Sequence, residues 1–217
     1  MALRLALALA PALLLAACAS SNRPVLGRPG PARLAPGAKL VMAERPLASV
    51  DGQTVRVADV RGDKGTLVIV TCNHCPWSKA WEGRLAALGN RYAKAGVGVI
   101  AVNPNDPAAH PEDGFVQMQE RASELGLEFP YAVDEGGALA AALGATKTPE
   151  VFLFDAEDTL VYVGAVDDNA NDPDAVEQHY LQDALDALVA GAPVQLKQTR
   201  ALGCAIDSRG QERQDAE

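Results

Sequence analysis

Residues 71–77 read TCNHCPW, and the segments on either side of this heptapeptide decide the fold. Taken alone, a Cys-x-x-Cys pair serves equally as a redox switch, half of a metal site or two neighbouring thiols. Upstream, Gly65 to Thr71 (GTLVIVT) is a continuous β-branched and aliphatic run, the pattern of a strand buried on both faces in the middle of a sheet. Downstream, Trp77, Trp81, Leu85 and Leu88 recur at steps of four, four and three, which predicts the apolar face of a helix running to about Ala95. A strand therefore hands over to a helix at the two cysteines. Pro76 suits that junction, because a proline in the first turn gives up an N–H that lacks an intrahelical partner anyway.

Further out, LASVDGQTVRVADV holds two short strand-like pieces around Asp51-Gly52, a strong hairpin-turn dipeptide. VGVIAVN at 97–103 predicts a second buried strand. Residues 112–126 carry a helical period, with Phe115, Met118, Ala122 and Leu125 on one side and Gly126 as the stop. A short YAVD and a small helix at 138–143 follow. Residues 150–154 and 159–165 then read as an antiparallel hairpin. Asp174 to Ala190 reads as a closing helix, with Tyr180, Leu181, Ala184, Leu185 and Leu188 on its apolar face. The order β-α-β, inserted helix, β-β-α predicts an α/β fold, a mixed central sheet with helices on both faces.

The N-terminus points to export. Met1 to Arg4 give a short positive start, Leu5 to Ala17 an apolar run too short to span a bilayer as a mature helix, and Cys18 follows directly. Leu15-Ala16-Ala17-Cys18 resembles the bacterial lipoprotein lipobox. That resemblance implies a signal peptide at 1–17, a lipidated Cys18 and a membrane tether facing the periplasm, with the outer membrane favoured over the inner. Such a compartment lets disulfides form and persist. Residues 18–39, rich in Pro, Gly, Ala and Arg, read as a flexible tether, so the folded part is expected over 40–192 with a tail at 193–217. The formal charge of -9 argues against a nucleic-acid partner.

The strand ending in Cys-x-x-Cys at a helix start, the Thr148-Pro149 that opens the later hairpin and the final helix together resemble the thioredoxin-like fold. The N-terminal hairpin and the helical insertion are similar to its redoxin branch, which holds TlpA/ResA-like and alkyl-hydroperoxide-reductase-like proteins. The resemblance implies a thiol-disulfide oxidoreductase that needs no cofactor and no metal. Its partners would be protein thiols or disulfides, together with a membrane or soluble redox partner that resets the pair. It also implies a cis Thr148-Pro149 bond opposite the cysteines, where the backbone of Thr148 pairs with a substrate strand. Helix-terminal N–H groups lower a cysteine's pKa, so Cys72 is expected to be the exposed attacking thiolate and Cys75 the more buried resolving thiol. His74 stands in the slot that holds His in DsbA-type oxidants and would stabilise the Cys72 thiolate. Trp77 reads as core, with contact to a partner as the functional alternative.

Other features remain open. Thioredoxins carry a buried Asp six residues before the first cysteine, and Thr66 takes that place here. Glu150 is a substitute proton acceptor or, more simply, a solvent-facing strand residue. Cys204 is either a thiol without chemistry or a third redox thiol. DDNANDPD at 167–174 lacks the Gly and Glu of a calcium loop and reads as a solvated loop; His110 and His179 read as surface histidines. The competing functions are a thiol-dependent peroxidase, weakened because Thr71 directly precedes Cys72 in place of Thr-x-x-Cys, and a copper carrier using Cys72, Cys75 and a histidine.

Overall fold

The structure is a computed structural model in which residues 32–208 are described. Strands β1 (Leu47–Ser49) and β2 (Thr54–Val55) form the expected antiparallel hairpin, with Gly52 at φ 85° in its turn. Strand β3 (Gly65–Val70) follows with all six residues buried, and feeds helix α1 (Pro76–Ala93). Next come β4 (Val97–Asn103), α2 (Phe115–Glu124), β5 (Tyr131–Val133) and α3 (Ala138–Leu143). The two-residue β6 (Lys147–Thr148) leads into the hairpin of β7 (Glu150–Asp155) and β8 (Leu160–Gly164). Helix α4 (Tyr180–Val189) and the short β9 (Cys204–Ala205) end the described chain. The main sheet runs β2-β1-β5-β4-β3-β7-β8, with β3 parallel to β4 and antiparallel to β7.

β3 is central because both of its faces are apolar. Leu67 and Ile69 point into a core shared with Trp81, Leu85, Leu181 and Leu185, so α1 and α4 cover that face. Val68 and Val70 point into the opposite core with Leu139, Leu143, Phe152 and Phe154, covered by α3. Each such side chain, fully buried, contributes about 1.5–3 kcal/mol. At the start of β4 the backbone of residues 60–62 passes so close that a Cβ on Gly98 would lie 1.7 Å from the Val60 carbonyl oxygen. Only glycine fits there.

Four expectations are corrected. The closing helix starts at Tyr180 rather than Asp174. The Asp172 side chain accepts from Asp174 N–H in a 3-10 turn, and Asp168 accepts from Glu177 N–H at 3.1 Å, which holds the intervening chain out of the helix. The inward face of α1 begins at Ser78 and Trp81; Trp77 is 39% exposed and stacks on Trp81 at 6.0 Å. On α2, Met118 is fully buried and Phe115 is exposed. The packed chain also reaches beyond 40–192. Leu34 N–H donates to Leu143 O, Gly37 N–H to Leu160 O and Leu160 N–H to Ala38 O, while Val194, Ala201, Ile206 and Ser208 are buried. Proline and glycine hid these contacts, since single backbone bonds leave no periodicity. Cys18 and the signal segment lie outside the described residues. Among the described residues, no helix is long and apolar enough to cross a membrane.

Candidate active site

The end of β3 and the start of α1 bring Cys72 and Cys75 together, both as free thiols. Cys75 is the residue that caps α1, so the unpaired N–H groups of the helix start serve Cys75, whereas Cys72 lies three residues ahead of it. Cys72 is 3% exposed and Cys75 0%. The expectation of an exposed attacking thiolate at the helix start is corrected on both counts. Cys75's pKa is drawn down, first by the hydrogen bond from Cys72 and then, against the cost of burial, by Cys204 and the Ser78 N–H. Cys72's is pushed up, first by giving that bond and then by burial. The direction of the two shifts favours Cys75 over Cys72 as the sulfur that ionises first.

The reverse order of ionisation is also supported. Cys72 Sγ lies 3.0 Å from Thr148 Oγ1 and 3.4 Å from Ser78 Oγ, two hydroxyls able to donate to a Cys72 thiolate. Cys75 Sγ lies 3.3 Å from the Thr148 carbonyl oxygen, which accepts from a protonated Cys75. The Thr148-Pro149 bond is cis. Thr148 thus addresses both sulfurs, one through its side chain and one through its backbone.

Distant segments supply the charge around this pair, and these residues were not found from the sequence. Asp113, from the 3-10 turn Pro111–Asp113, is buried beneath the Cys-x-x-Cys loop. Its Oδ1 accepts from Asn73 N–H at 2.7 Å and His74 N–H at 3.3 Å, and its Oδ2 lies 2.6 Å from His74 Nδ1. Asn73 is held further by Glu112 O, to which its amide donates at 3.0 Å, and by the Tyr131 hydroxyl, which donates to its Oδ1 at 3.0 Å. His74 therefore engages a carboxylate, and Asp113 opposes ionisation of Cys72. The His110 ring stacks on His74 at 3.8 Å and its Nε2 lies 3.1 Å from Asp207 Oδ2, so His110 belongs to the rim of the site rather than to the open surface. The signal that marks Asp113 in hindsight is an acidic side chain in a Pro-initiated turn, which many surface turns share.

Two other readings are corrected by the surroundings. Glu150 is buried, pairs with Arg33 and accepts from Thr146 N–H at 3.0 Å, so it is an internal ion pair. Asp167 is buried as well, taking the indole N–H of Trp81 at 2.7 Å and the guanidinium of Arg84, and the 167–174 loop is anchored at that end. Cys204, on β9, pairs across from Thr148, and its thiol donates to Cys75. Trp77 stands at the start of α1, and its backbone N–H favours a Cys204 thiolate. Thr66 is buried in β3, while His179 stands at the exposed start of α4.

One donor set for a metal exists among the described residues. Cys72, His74 and Asp113 each place a ligand atom within 4.8 Å of the others. It differs from the soft Cys72/Cys75/His set of a copper carrier, because a carboxylate already holding three hydrogen bonds replaces the second thiol. The arrangement as a whole offers a nucleophilic sulfur, a second sulfur in contact with it, and donors for either anion.

Comparison with known proteins agrees with this architecture. The family model described as Redoxin matches residues 33–179. An uncharacterized conserved protein of Geobacillus kaustophilus, solved by crystallography, is 38% identical with a TM-score of 0.73, covering 80% of this chain and 92% of its own. A hypothetical protein of Sinorhizobium meliloti 1021 is 30% identical with a TM-score of 0.75, covering 82% and 96%. The thiol-disulfide oxidoreductase ResA of Halalkalibacterium halodurans is 26% identical over 117 residues, 54% of this chain and 62% of its own. The chain thus spans about three fifths of the length of the curated relatives it matches. The sheet and its helices are a thioredoxin-like fold, and since the Redoxin match contains the central strand, both cysteines of the heptapeptide and Thr148-Pro149, the chain belongs to the Redoxin family.

Proposed function

We propose that Cys72 and Cys75 exchange disulfides with protein substrates in an extracytoplasmic compartment, as a thiol-disulfide oxidoreductase. The observation that carries this reading is the convergence of both sulfurs on Thr148, Cys72 on its hydroxyl and Cys75 on its carbonyl oxygen. Of the pair, Cys72 is the less completely buried, and a substrate disulfide meets it first. Its proton passes to Cys75, where the Thr148 carbonyl accepts it, and the Cys72 thiolate keeps the Thr148 and Ser78 hydroxyls. Attack on one substrate sulfur breaks the substrate S–S bond, forms a mixed disulfide and releases the first substrate thiolate, which takes up the Cys75 proton. Cys75 then attacks Cys72 Sγ, closing the Cys72–Cys75 disulfide and releasing the second thiolate, protonated from solvent. A redox partner reverses the sequence. The ResA relatives carry the same activity in their names, which supports the class of reaction.

Location rests on the lipobox-like Leu15-Ala16-Ala17-Cys18. A Cys18→Ser protein is expected to move from the membrane pellet to the soluble fraction; unchanged partition would refute the anchor. A thiol peroxidase is the second reading, favoured by the near-sealing of Cys72, which a small peroxide negotiates more easily than a protein chain. Insulin reduction separates the two. Wild type is expected to accelerate it, Cys72→Ser and Cys75→Ser to lose at least ~100-fold, and Cys75→Ser to accumulate a mixed disulfide on Cys72. Full activity without Cys72 would refute the exchange reading, and peroxide turnover without insulin reduction would replace it.

A further inference from the structure

We propose that Cys204 is a third redox thiol, which takes the disulfide over from the first pair as a Cys75–Cys204 bond; this rests on the exchange reading of Cys72 and Cys75. The placement is built by the fold. Beyond α4 the chain returns as a strap over the cysteine site, and β9 pairs antiparallel with β6 in the register Lys147↔Ala205, Thr148↔Cys204. Gly203 makes this approach possible, since a Cβ there would lie 2.3 Å from the Thr148 carbonyl oxygen. The strap is fastened on its far side as well. Ile206 is buried, Asp106 N–H donates to Asp207 O at 2.7 Å, and Asp207 N–H donates to Asn105 Oδ1 at 2.8 Å. It fills the edge of Thr148 that the thioredoxin-like resemblance reserves for a substrate strand. Cys204 therefore stands where a substrate cysteine would.

The sulfurs form a chain with Cys75 in the middle. Cys72 Sγ lies 3.0 Å from the Thr148 hydroxyl, Cys75 Sγ lies 3.3 Å from the Thr148 carbonyl oxygen, and Cys204 stands directly across from Thr148 on β9, so all three meet at Thr148; both Cys72 and Cys204 draw the pKa of Cys75 down. The Trp77 N–H at the start of α1 favours a Cys204 thiolate. In the reduced protein Cys204 is held protonated, its pKa pushed up to about 11 by burial and by the bond it gives to Cys75. Once Cys75 is in a disulfide it carries no anion to receive that bond, and the Trp77 N–H remains to favour a Cys204 thiolate. That thiolate attacks Cys75 Sγ. The Cys72–Cys75 bond breaks, its electron pair leaves on Cys72, and Cys72 takes up the proton that Cys204 gave up. One S–S bond is lost and one is formed, so no outside oxidant or reductant enters the step. Its effect is to return Cys72 to the thiol form while the disulfide is held between buried Cys75 and half-buried Cys204.

Oxidation of the full chain by an equimolar small disulfide, followed by tryptic digestion without reduction, tests this. Cys72 and Cys75 lie in the peptide 65–79 and Cys204 in 201–209, and tandem fragmentation assigns the linked sulfurs. Wild type is expected to yield the two peptides joined through Cys75, and Cys72→Ser to yield that link as its principal disulfide. At equal oxidation, Cys72 should be alkylated roughly tenfold more in wild type than in Cys204→Ser, which cannot pass the disulfide on. Gly203→Ala keeps all three thiols and lifts the strap from Thr148; it should form Cys72–Cys75 and lose the Cys75–Cys204 link. A wild type that forms Cys72–Cys75 and reduces insulin, with no 65–79/201–209 link in any protein, would overturn the inference alone. Absence of both disulfides, with insulin reduction indifferent to Cys72, would overturn the exchange reading and this inference together.

Discussion

Cys72 and Cys204 meet in one thiol cluster and arrive there by opposite routes. Cys72 is delivered by a junction seven residues long: β3 is buried throughout, α1 starts at Pro76, and the heptapeptide has few other places to go. Cys204 is delivered by a strap fastened far away in sequence, at Thr146 to Thr148, at Asn105, Asp106 and His110, and in the core around Ile206. The junction is secured by strand and helix periodicity, whereas the strap is secured by a two-residue ladder and isolated hydrogen bonds. The contrast teaches that the nucleophiles of this site are local and their environment is tertiary. It also means that the second region can be loosened while the first stays intact.

The largest expected effect of that kind comes from Glu150→Ala. Glu150 pairs with Arg33, accepts from Thr146 N–H at 3.0 Å, and Arg33 in turn donates to Thr199 O at 3.3 Å near the base of the strap. Removing the carboxylate leaves a guanidinium that is only 25% exposed without its partner, and a backbone donor unpaired. One broken buried pair costs about 3–5 kcal/mol, and the partial exposure of Arg33 places this one at the low end. Urea denaturation should register the loss. Cys204 should become more readily alkylated at a urea concentration where Cys72 is still protected. A loss below about 1 kcal/mol, or equal deprotection of both cysteines, would mean that strap and junction are one unit and break the comparison.

The same contrast explains what the sequence discloses. Leu67 to Val70, the helix from Pro76 and the Thr148-Pro149 dipeptide are legible because periodicity and proline chemistry act over a few residues, and those elements appear where expected. The burial of Cys72 is not legible, since it is made by Thr148, Ser78 and the Asp113 turn closing over it. Trp77 shows the limit of a spacing argument: a step of four to Trp81 fits an apolar face, yet at the first turn that face has not met the sheet, and the ring stays 39% exposed. Glu150 shows the reverse. Directly after Pro149 it looks like a solvent-facing strand position, and Arg33, 117 residues away, together with the Thr146 N–H makes its burial tolerable.

A smaller and sharper effect is expected from Asp113→Asn, which changes charge in the tertiary shell and leaves the backbone of the junction in place. Asparagine keeps an oxygen for the N–H groups of Asn73 and His74, now held at 2.7 and 3.3 Å, so the loop geometry should survive. What disappears is a negative charge that adds to the Cys75 hydrogen bond and to burial in pushing the pKa of Cys72 up. The sign follows: a carboxylate near a thiol disfavours the thiolate, so its removal moves ionisation of Cys72 to lower pH. At neutral pH alkylation of Cys72 should then accelerate by roughly tenfold, the equivalent of about 1.4 kcal/mol. The measurement belongs in a Cys75→Ser, Cys204→Ser background, where Cys72 titrates without a thiol partner, read from the peptide 65–79 by mass spectrometry across pH. A curve displaced to higher pH would show that the His74 contact with Asp113 supports the Cys72 thiolate more than the carboxylate opposes it. The tuning would then reside in the heptapeptide itself, and the division between local nucleophiles and tertiary electrostatics would fail at its closest point.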